Sequence, residues 1–242
     1  MRIKNNSVSK SMALATVLAG AALSASVFSA TTNAASLDFN ISAPNSGSIS
    51  FAGGSTALVG TGIQVSNVVG LGTAANPGVA LNCIDCVLNF ETGNLSGALG
   101  NQWSFDGGGW ITVNGSLDTT GDGYADIINQ DLLTGVFNMA SNVSFDAGVF
   151  VFNIAAGTFA DTKNPDLLAY YGLPDVGYMG GMNVSFTTTA GVTPNVGDAF
   201  SSTQVLSGDV FNAPVPLPAA VWMLGGGLLA LTGFYRRRSQ RV

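Results

Sequence analysis

Apolar and polar residues alternate with a period of two along most of the chain, and helical periods are rare. The segments 110–114 and 182–187 alternate cleanly, and 63–69 begins in the same way. This alternation is typical of strands with one buried face, whereas the β-branched and aromatic run at 149–154 fits a strand buried on both faces. Further strands are predicted at 37–41, 48–51, 87–90, 132–137, 142–145 and 204–211.

Turn-forming residues separate these segments, including glycine and asparagine runs at 44–47, 76–78 and 107–109. About ten short strands at this spacing predict an all-β fold, an antiparallel β-sandwich or jelly-roll-like body. One helix is predicted at Pro165–Tyr171, because Asn164 is a suitable N-cap and Gly172 a suitable end. We interpret this helix as a structural plug, with a functional site as the alternative.

The N-terminal segment has a composition of its own. Three basic residues precede an apolar run at 12–28, and Thr32 and Ala34 supply small residues after it. This order is typical of a secretory signal peptide. Residues 1–34 are therefore predicted to be removed by cleavage after Ala34, with cleavage after Ala35 or a retained anchor helix as alternatives.

The C-terminal tail, 215–242, has a proline-containing turn, an uncharged run at 219–235 and four arginines, in that order. As a helix the run would be about 26 Å long, at the short end for a bilayer core of about 30 Å. Trp222 and Tyr235 lie near its ends, where aromatic rings favour the interface, and arginines beside a span stay in the cytoplasm. The tail therefore predicts a transmembrane helix at 219–235, with the preceding chain outside. A buried core helix is the alternative.

The same tail resembles the sorting signal of the PEP-CTERM proteins of Gram-negative bacteria. The resemblance is carried by a proline motif and an arginine cluster on either side of the span: Val215, Pro216, Leu217, Pro218, Arg236, Arg237 and Arg238. It departs from the family pattern at Leu217, where the motif that names the family has Glu. The resemblance implies export across the inner membrane and recognition by the membrane protease-transpeptidase exosortase. It also implies processing near the proline motif and co-occurrence with exopolysaccharide production, but no activity for the body.

Charge divides the chain into the same three parts. In the predicted exported domain, 35–214, Lys163 is the only basic residue against all 14 Asp and Glu, which gives a net charge of −13. Such a body repels nucleic acid and anionic membrane surfaces, and it matches divalent cations or neutral polymers. Solubility alone is the alternative explanation. Its about 180 residues are enough for one domain with its own core.

The chain contains no histidine. This absence excludes Ser-His-Asp and Cys-His catalysis and histidine-ligated zinc or copper. Nucleophile-elbow, phosphate-loop and dinucleotide-binding motifs are absent from the sequence as well. The sequence therefore predicts a protein that is not an enzyme. Glycoside hydrolysis stays open, because it needs only two carboxylates about 5–9.5 Å apart.

Cys83 and Cys86 are the only cysteines. Two thiolates are too few for a four-cysteine zinc site, and outside the cytoplasm such a pair oxidises. The pair therefore predicts a structural disulfide that closes a small loop before Val87. A redox site is the alternative, although it would need the pair at a helix N-terminus in a βαβ unit.

An aspartate-rich segment at 118–126 predicts a calcium site. Its carboxylates occupy positions 1, 5 and 9 of a loop with Gly123 at position 6, as in EF-hand-like loops. The predicted ligands, including oxygens at positions 3 and 7, are Asp118, Thr120, Asp122, Tyr124 and Asp126. Position 12 is Asn129 rather than glutamate, so the expected Kd is weak, about 10⁻⁴ to 10⁻³ M. A solvated hairpin turn is the alternative.

Two functions fit these observations. The first is a non-enzymatic cell-surface or extracellular-matrix protein, anchored briefly in the inner membrane as a precursor, sorted by exosortase and associated with exopolysaccharide or biofilm. The second is an exported carbohydrate-binding or carbohydrate-active protein that holds sugar with Trp103, Trp110 and nearby acids. Burial of both tryptophans would favour the first, whereas one exposed beside two carboxylates would favour the second.

Overall fold

The computed structural model describes residues 35–43, 45–146, 149–188 and 197–215. Within these residues the chain forms strands and one short helix, α1 (Pro165–Tyr171), which lies between β10 and β11. The strands are β1 (Ser36–Ile41), β2 (Ser48–Phe51), β3 (Ala57–Gln64), β4 (Asn67–Leu71), β5 (Ala80–Leu99), β6 (Gln102–Phe105), β7 (Trp110–Leu117), β8 (Ile127–Phe137), β9 (Ser141–Asp146), β10 (Val149–Lys163), β11 (Tyr178–Thr188) and β12 (Phe200–Pro214). The all-β fold with one short helix is therefore confirmed for the described residues.

Two long strands change partners along their length and so link the other strands into one antiparallel network. Strand β5 pairs first with β4, then with β7 and β3, and finally with β6. Strand β10 pairs first with β9 and then with β8, and β11 follows it through both parts. One group of neighbours is therefore β4-β1-β12-β11-β10-β9-β6, and the other is β2-β3-β5-β7-β8-β10.

The apolar positions of the alternating strands form one hydrophobic core. In β1, Leu37, Phe39 and Ile41 are buried and alternate with the partly exposed Asp38 and Asn40. Removing such side chains from water is the main favourable contribution to folding. Edge-to-face ring contacts join core side chains of different strands, with centroids 5.5–5.8 Å apart in Phe51–Phe105, Trp103–Phe200 and Phe137–Phe159.

Most predicted strands are confirmed, since the segments expected in β1, β2, β5 and β7 to β12 all lie in observed strands. Strand β6 was not expected. Strands β5, β10 and β12 are longer than the patterns indicated, with 20, 15 and 15 residues. They run through glycine and polar positions because neighbouring strands supply their backbone hydrogen bonds.

The single strand predicted at 63–69 is wrong, because Val65 and Ser66 separate β3 from β4. This break fits against a bulge in β5. The Val65 N–H donates to the Cys86 carbonyl at 3.0 Å, and the Cys83 N–H donates to the Ser66 carbonyl at 3.0 Å. The break between β3 and β4 and the bulge in β5 therefore lie opposite each other. The alternation of residues within 63–69 alone does not indicate this break.

Helix α1 is confirmed with both of its predicted ends. The side-chain oxygen of Asn164 accepts hydrogen bonds from the backbone N–H groups of Asp166 (2.9 Å) and Leu167 (3.2 Å). Gly172 ends the helix with a φ of 65°, a left-handed conformation that glycine adopts without a Cβ clash. The helix buries three side chains, as a plug requires: Leu167, Leu168 and Tyr171.

The predicted signal peptide (1–34) and the sorting tail from residue 216 onward lie outside the described residues, together with the predicted helices at 12–28 and 219–235. Within the described ranges, the only helix is too short and too polar to cross a membrane. Val215 is the one residue of the proline motif that is described, and its N–H donates to the Gly177 carbonyl at 3.1 Å.

Candidate functional surfaces

The loop predicted to bind calcium connects β7 to β8. The Asp118 carboxylate accepts hydrogen bonds from the backbone N–H groups of Thr120, Gly121 and Gly123 at 3.2, 2.7 and 2.8 Å. The hydrogen bond from Gly123 contributes most to holding the pKa of Asp118 below its ordinary value. One end of the loop is therefore folded around a carboxylate that the loop's own amides stabilise.

The other end is built in the same way. Asp126 Oδ2 accepts hydrogen bonds from the Thr119 hydroxyl (2.8 Å) and the Thr119 and Thr120 N–H groups (2.8 and 3.0 Å). The Thr119 hydroxyl is the main cause that lowers the pKa of Asp126. Asp122 Oδ1 accepts from the Tyr124 N–H at 2.9 Å.

The five predicted ligands thus share one exposed loop. Across the described residues, no group of three or more Asp, Glu, Cys or His side chains is arranged to hold a metal ion. The three loop carboxylates bind backbone amides instead of facing one common centre, so calcium binding by this loop stays a prediction.

The predicted disulfide between Cys83 and Cys86 is confirmed, with their Cα atoms 5.3 Å apart. It closes the β5 bulge, where Asp85 has a positive φ of 55°. Gly115 of β7 lies against this bulge, because a Cβ at that position would be 2.6 Å from Cys86 Sγ. The pair lies in a strand rather than at a helix N-terminus, which favours the structural role.

The two tryptophans that could hold sugar lie in different surroundings. Trp103 is only 1% exposed, and its ring packs against Phe200. Trp110 is 43% exposed and lies opposite the exposed Glu91 in the pairing of β5 with β7. The tryptophans therefore do not form a joint sugar platform, although Trp110 has one carboxylate beside it.

A feature that sequence reasoning missed is a row of eight aligned polar residues, six of them asparagines, across eight strands. Strand register places each member directly opposite the next in β5, β4, β1, β12, β11, β10, β9 and β6. We call this set the asparagine row: Asn82, Asn67, Asn40, Asp209, Asn183, Asn153, Asn142 and Ser104. At the usual strand spacing it is about 33 Å long.

Hydrogen bonds join members of the row. Asn40 Nδ2 donates to Asn67 Oδ1 at 2.9 Å, and the Ser104 hydroxyl donates to Asn142 Oδ1 at 2.8 Å. Asn40 and Asn183 lie on the face opposite the core, since they alternate with buried apolar residues in β1 and β11. Each asparagine is an ordinary polar position of its own strand, and only the register between strands reveals the row.

A polar hollow of about 380 Å³ lies at the middle of the row. Burial, and then the neighbouring charge of Asp209, raises the pKa of Asp38 to about 6. Burial also raises the pKa of Asp209. The lining combines these two carboxylates with amide and hydroxyl groups: Asp38, Asn40, Asn183, Ser185, Ser207 and Asp209.

No protein-family description, curated protein or solved structure matches this chain.

Proposed function

We propose that this chain is a non-enzymatic exported protein of the cell surface or extracellular matrix of a Gram-negative bacterium, sorted by exosortase, and that its body binds a neutral polysaccharide. The export and sorting parts rest on the signal-peptide pattern and on the tail resemblance. The absence of histidine from the sequence supports a binding role over an enzymatic one. We further propose that the strands of the body are stacked as a sandwich with jelly-roll-like connections.

The asparagine row is the observation that carries the binding proposal. A carboxamide has two N–H donors and a carbonyl acceptor, so it can pair with sugar hydroxyls, which both donate and accept. The row places asparagines on either side of Asp209, on strands spaced about 4.7–4.9 Å apart. A polymer with repeated hydroxyls would contact several of them at once, and contacts that are weak singly would add through high effective concentration.

Charge favours a neutral polymer over an acidic one. The only basic residue of the body, Lys163, is buried, and Asp209 lies within the row. An anionic polysaccharide, a nucleic acid or an anionic lipid surface would therefore meet repulsion without a compensating cation. A neutral glucan or mannan would meet only hydrogen-bonding groups.

The hollow supports a second candidate function, carboxylate-only glycoside hydrolysis. Asp38 has a raised pKa, as a general acid requires, and Asp209 lies on the adjacent strand. Burial also raises the pKa of Asp209, which disfavours the ionised base that hydrolysis needs. We therefore rank binding first. Release of reducing sugar that Asp38→Asn abolishes would favour hydrolysis.

Affinity electrophoresis tests the binding proposal. The protein is run in native gels that contain neutral glucans or mannans, and in parallel gels that contain alginate as the anionic polymer. We expect retardation by at least one neutral polymer, unchanged by added salt because no ion pairs are involved, and none by alginate. Equal mobility in every gel would refute the proposal.

A matched pair of variants assigns the binding face. Asn67→Ala with Asn183→Ala removes two amides of the row, whereas Asn94→Ala removes an exposed strand asparagine outside it. The double variant should lose most of the retardation, and the control should keep it. An equal loss in both would place the binding surface elsewhere.

We also propose weak calcium binding by the loop that joins β7 to β8. Three carboxylates within nine residues of a strongly acidic body repel one another, and a bound cation would relieve this repulsion. Binding would require Asp118 and Asp126 to exchange backbone hydrogen bonds for the ion, which fits a Kd of about 10⁻⁴ to 10⁻³ M.

A thermal melt with and without millimolar calcium tests this proposal. Calcium should raise the Tm of the unmutated protein, because a ligand bound only by the folded state stabilises it. Asp122→Ala should abolish the rise, and Asp131→Ala, outside the loop, should keep it. An unmutated protein with the same Tm in both buffers would mean that the loop is only a turn.

A further inference from the structure

Three polar side chains lie together inside the apolar interior. Asp161 and Lys163 are two residues apart on β10, and Asn212 is on β12, with β11 between these strands. They are 5%, 7% and 1% exposed, respectively. Burial of a charged pair in such a place is costly unless further groups compensate it.

One carboxylate contacts both of the other groups. Asp161 Oδ2 contacts Lys163 Nζ, and Asp161 Oδ1 accepts a hydrogen bond from Asn212 Nδ2 at 3.3 Å. Beyond this ion pair, Nζ has no hydrogen-bond partner among the described residues, and neither does Asn212 Oδ1. The amine and the carboxamide are therefore held on the two oxygens of the same acid.

Neighbouring strands leave room for this cluster. Gly180 lies opposite Asn212 in β11, and a Cβ there would overlap the Asn212 amide nitrogen. Gly135 lies opposite Asp161 in β8, and a Cβ there would be 2.8 Å from Asp161 Cβ. The aromatic ring of Tyr178 covers the amine, 4.9 Å from Nζ.

The burial of Lys163 favours its neutral amine. Burial lowers the pKa of Lys163 well below its ordinary value. An unprotonated lysine in an apolar pocket is a nucleophile. Asp161, which contacts the amine, can move protons, and it also holds the Asn212 carboxamide, whose carbon can be attacked.

We propose that Lys163 and Asn212 join in an intramolecular amide cross-link, with Asp161 as the catalytic acid and base. A proton first passes from Lys163 Nζ to the Asp161 carboxylate, and from this neutral starting state the Nζ lone pair attacks Asn212 Cγ and forms the new C–N bond. Asp161 gives a proton to Nδ2 and takes one from Nζ, and the Cγ–Nδ2 bond breaks. One ammonia leaves, Asp161 returns to its starting state, and the step needs no oxidant, metal or cofactor.

The product would tie β10 to β12 across β11 by a covalent bond. It would also replace the buried ion pair with a neutral amide and so remove the cost of burying the charges. This inference is independent of polysaccharide binding, because it concerns only groups in the core.

The tryptic map of the unmutated full chain tests the proposal. Lys163 is the only tryptic site between Lys10 and Arg236, and an acylated Nζ blocks it. We expect the denatured chain to resist cleavage after Lys163. Digestion with a less specific protease should give a linked peptide pair that contains Lys163 and Asn212 and is one ammonia lighter than its two parts.

Two other results would overturn the proposal. Complete cleavage after Lys163 with unmodified peptides would show that the cluster is only an ion pair. Loss of one water in a peptide that links Lys163 to Asp161 would show that the wrong electrophile has been assigned.

Variants then test the roles. Asn212→Ala removes the electrophile and should restore tryptic cleavage after Lys163. Asp161→Asn keeps the size of the acid but removes proton transfer, so it should also leave the peptides unlinked. Full linkage in Asp161→Asn would refute the catalytic role. If either variant fails to fold, the map of the unmutated chain still decides whether the bond exists.

Discussion

At the scale of single residues, Asp38 shows how the asparagine row affects stability. It lies on the outer face of β1, yet it is partly buried in the hollow and close to the charge of Asp209. Both effects disfavour its ionised form and raise the pKa of Asp38 to about 6, from an ordinary value of 3.8.

This difference predicts that the free energy of unfolding falls as the pH rises from about 4 to about 7. Between these values the folded state binds more protons than the unfolded state, and the stability of protonated Asp38 is lost as the pH passes about 6. Asp209, whose pKa is also raised, acts in the same direction. Urea unfolding at several pH values measures the fall, and Asp38→Asn should reduce it.

Asp118 and Asp126 do not contribute to the fall in the free energy of unfolding between about pH 4 and pH 7. Their pKa values are lowered, so their contribution is present above their ordinary range and is lost only at more acidic pH. Asp122→Asn, in the same exposed loop, is therefore a suitable control. A pH dependence that is the same in Asp38→Asn as in the unmutated protein would contradict the assignment.

At the scale of elements, local signals were sufficient for α1 and insufficient for β5. Asn164 and Gly172 cap the helix through contacts within a few residues, so the sequence predicted both ends. The bulge at Cys83 and Cys86 matches a break at Val65 and Ser66 in another part of the chain. Pairing between distant segments decides where these strands bend, and the alternation pattern of a short segment carries no information about that pairing.

The helix cap gives a second prediction. Asn164→Ala removes the acceptor of the N–H groups of Asp166 and Leu167, and it should lower the free energy of unfolding by about 1 kcal/mol. Asn164→Asp keeps an acceptor oxygen at the same place and serves as the control. Urea unfolding compares the two. If the alanine variant is as stable as the aspartate variant, the cap contributes little.

At the scale of the whole molecule, the sequence predicted the all-β fold class but not the asparagine row. Alternation indicated that Asn183 faces away from the core, but it placed Asn67 on the same face as Ile63 and Val65 in the strand predicted at 63–69. The alignment of the row depends on the pairing of β1 with β4 and β12, whose sequences are far apart. The cluster of Asp161, Lys163 and Asn212 was missed for the same reason, since β12 reaches β10 only through β11.

The arrangement of β12 also affects where the predicted processing of the tail could occur without disrupting the fold. This last strand pairs with β1, β2 and β11, and it buries Val205 and Val210 in the core. Its removal would expose the edges of three strands and open the interior. The strand ends at Pro214, immediately before the proline motif, so processing at that motif would leave the whole of β12 in the product.

We therefore predict that the mature protein ends at or after Pro214. In cells with exosortase, mass spectrometry should find this C-terminus, and in a strain without exosortase the tail should be retained and the protein should accumulate in the inner membrane.

A purified body that ends at Pro214 should unfold cooperatively in urea, whereas one that ends at Ser201 should not, because it lacks the pairing of β12 with β1 and β11. The same mature mass in both strains would contradict sorting at the tail. Cooperative unfolding of the body that ends at Ser201 would show that the fold does not need β12. Processing before Pro214 would then be compatible with a folded product.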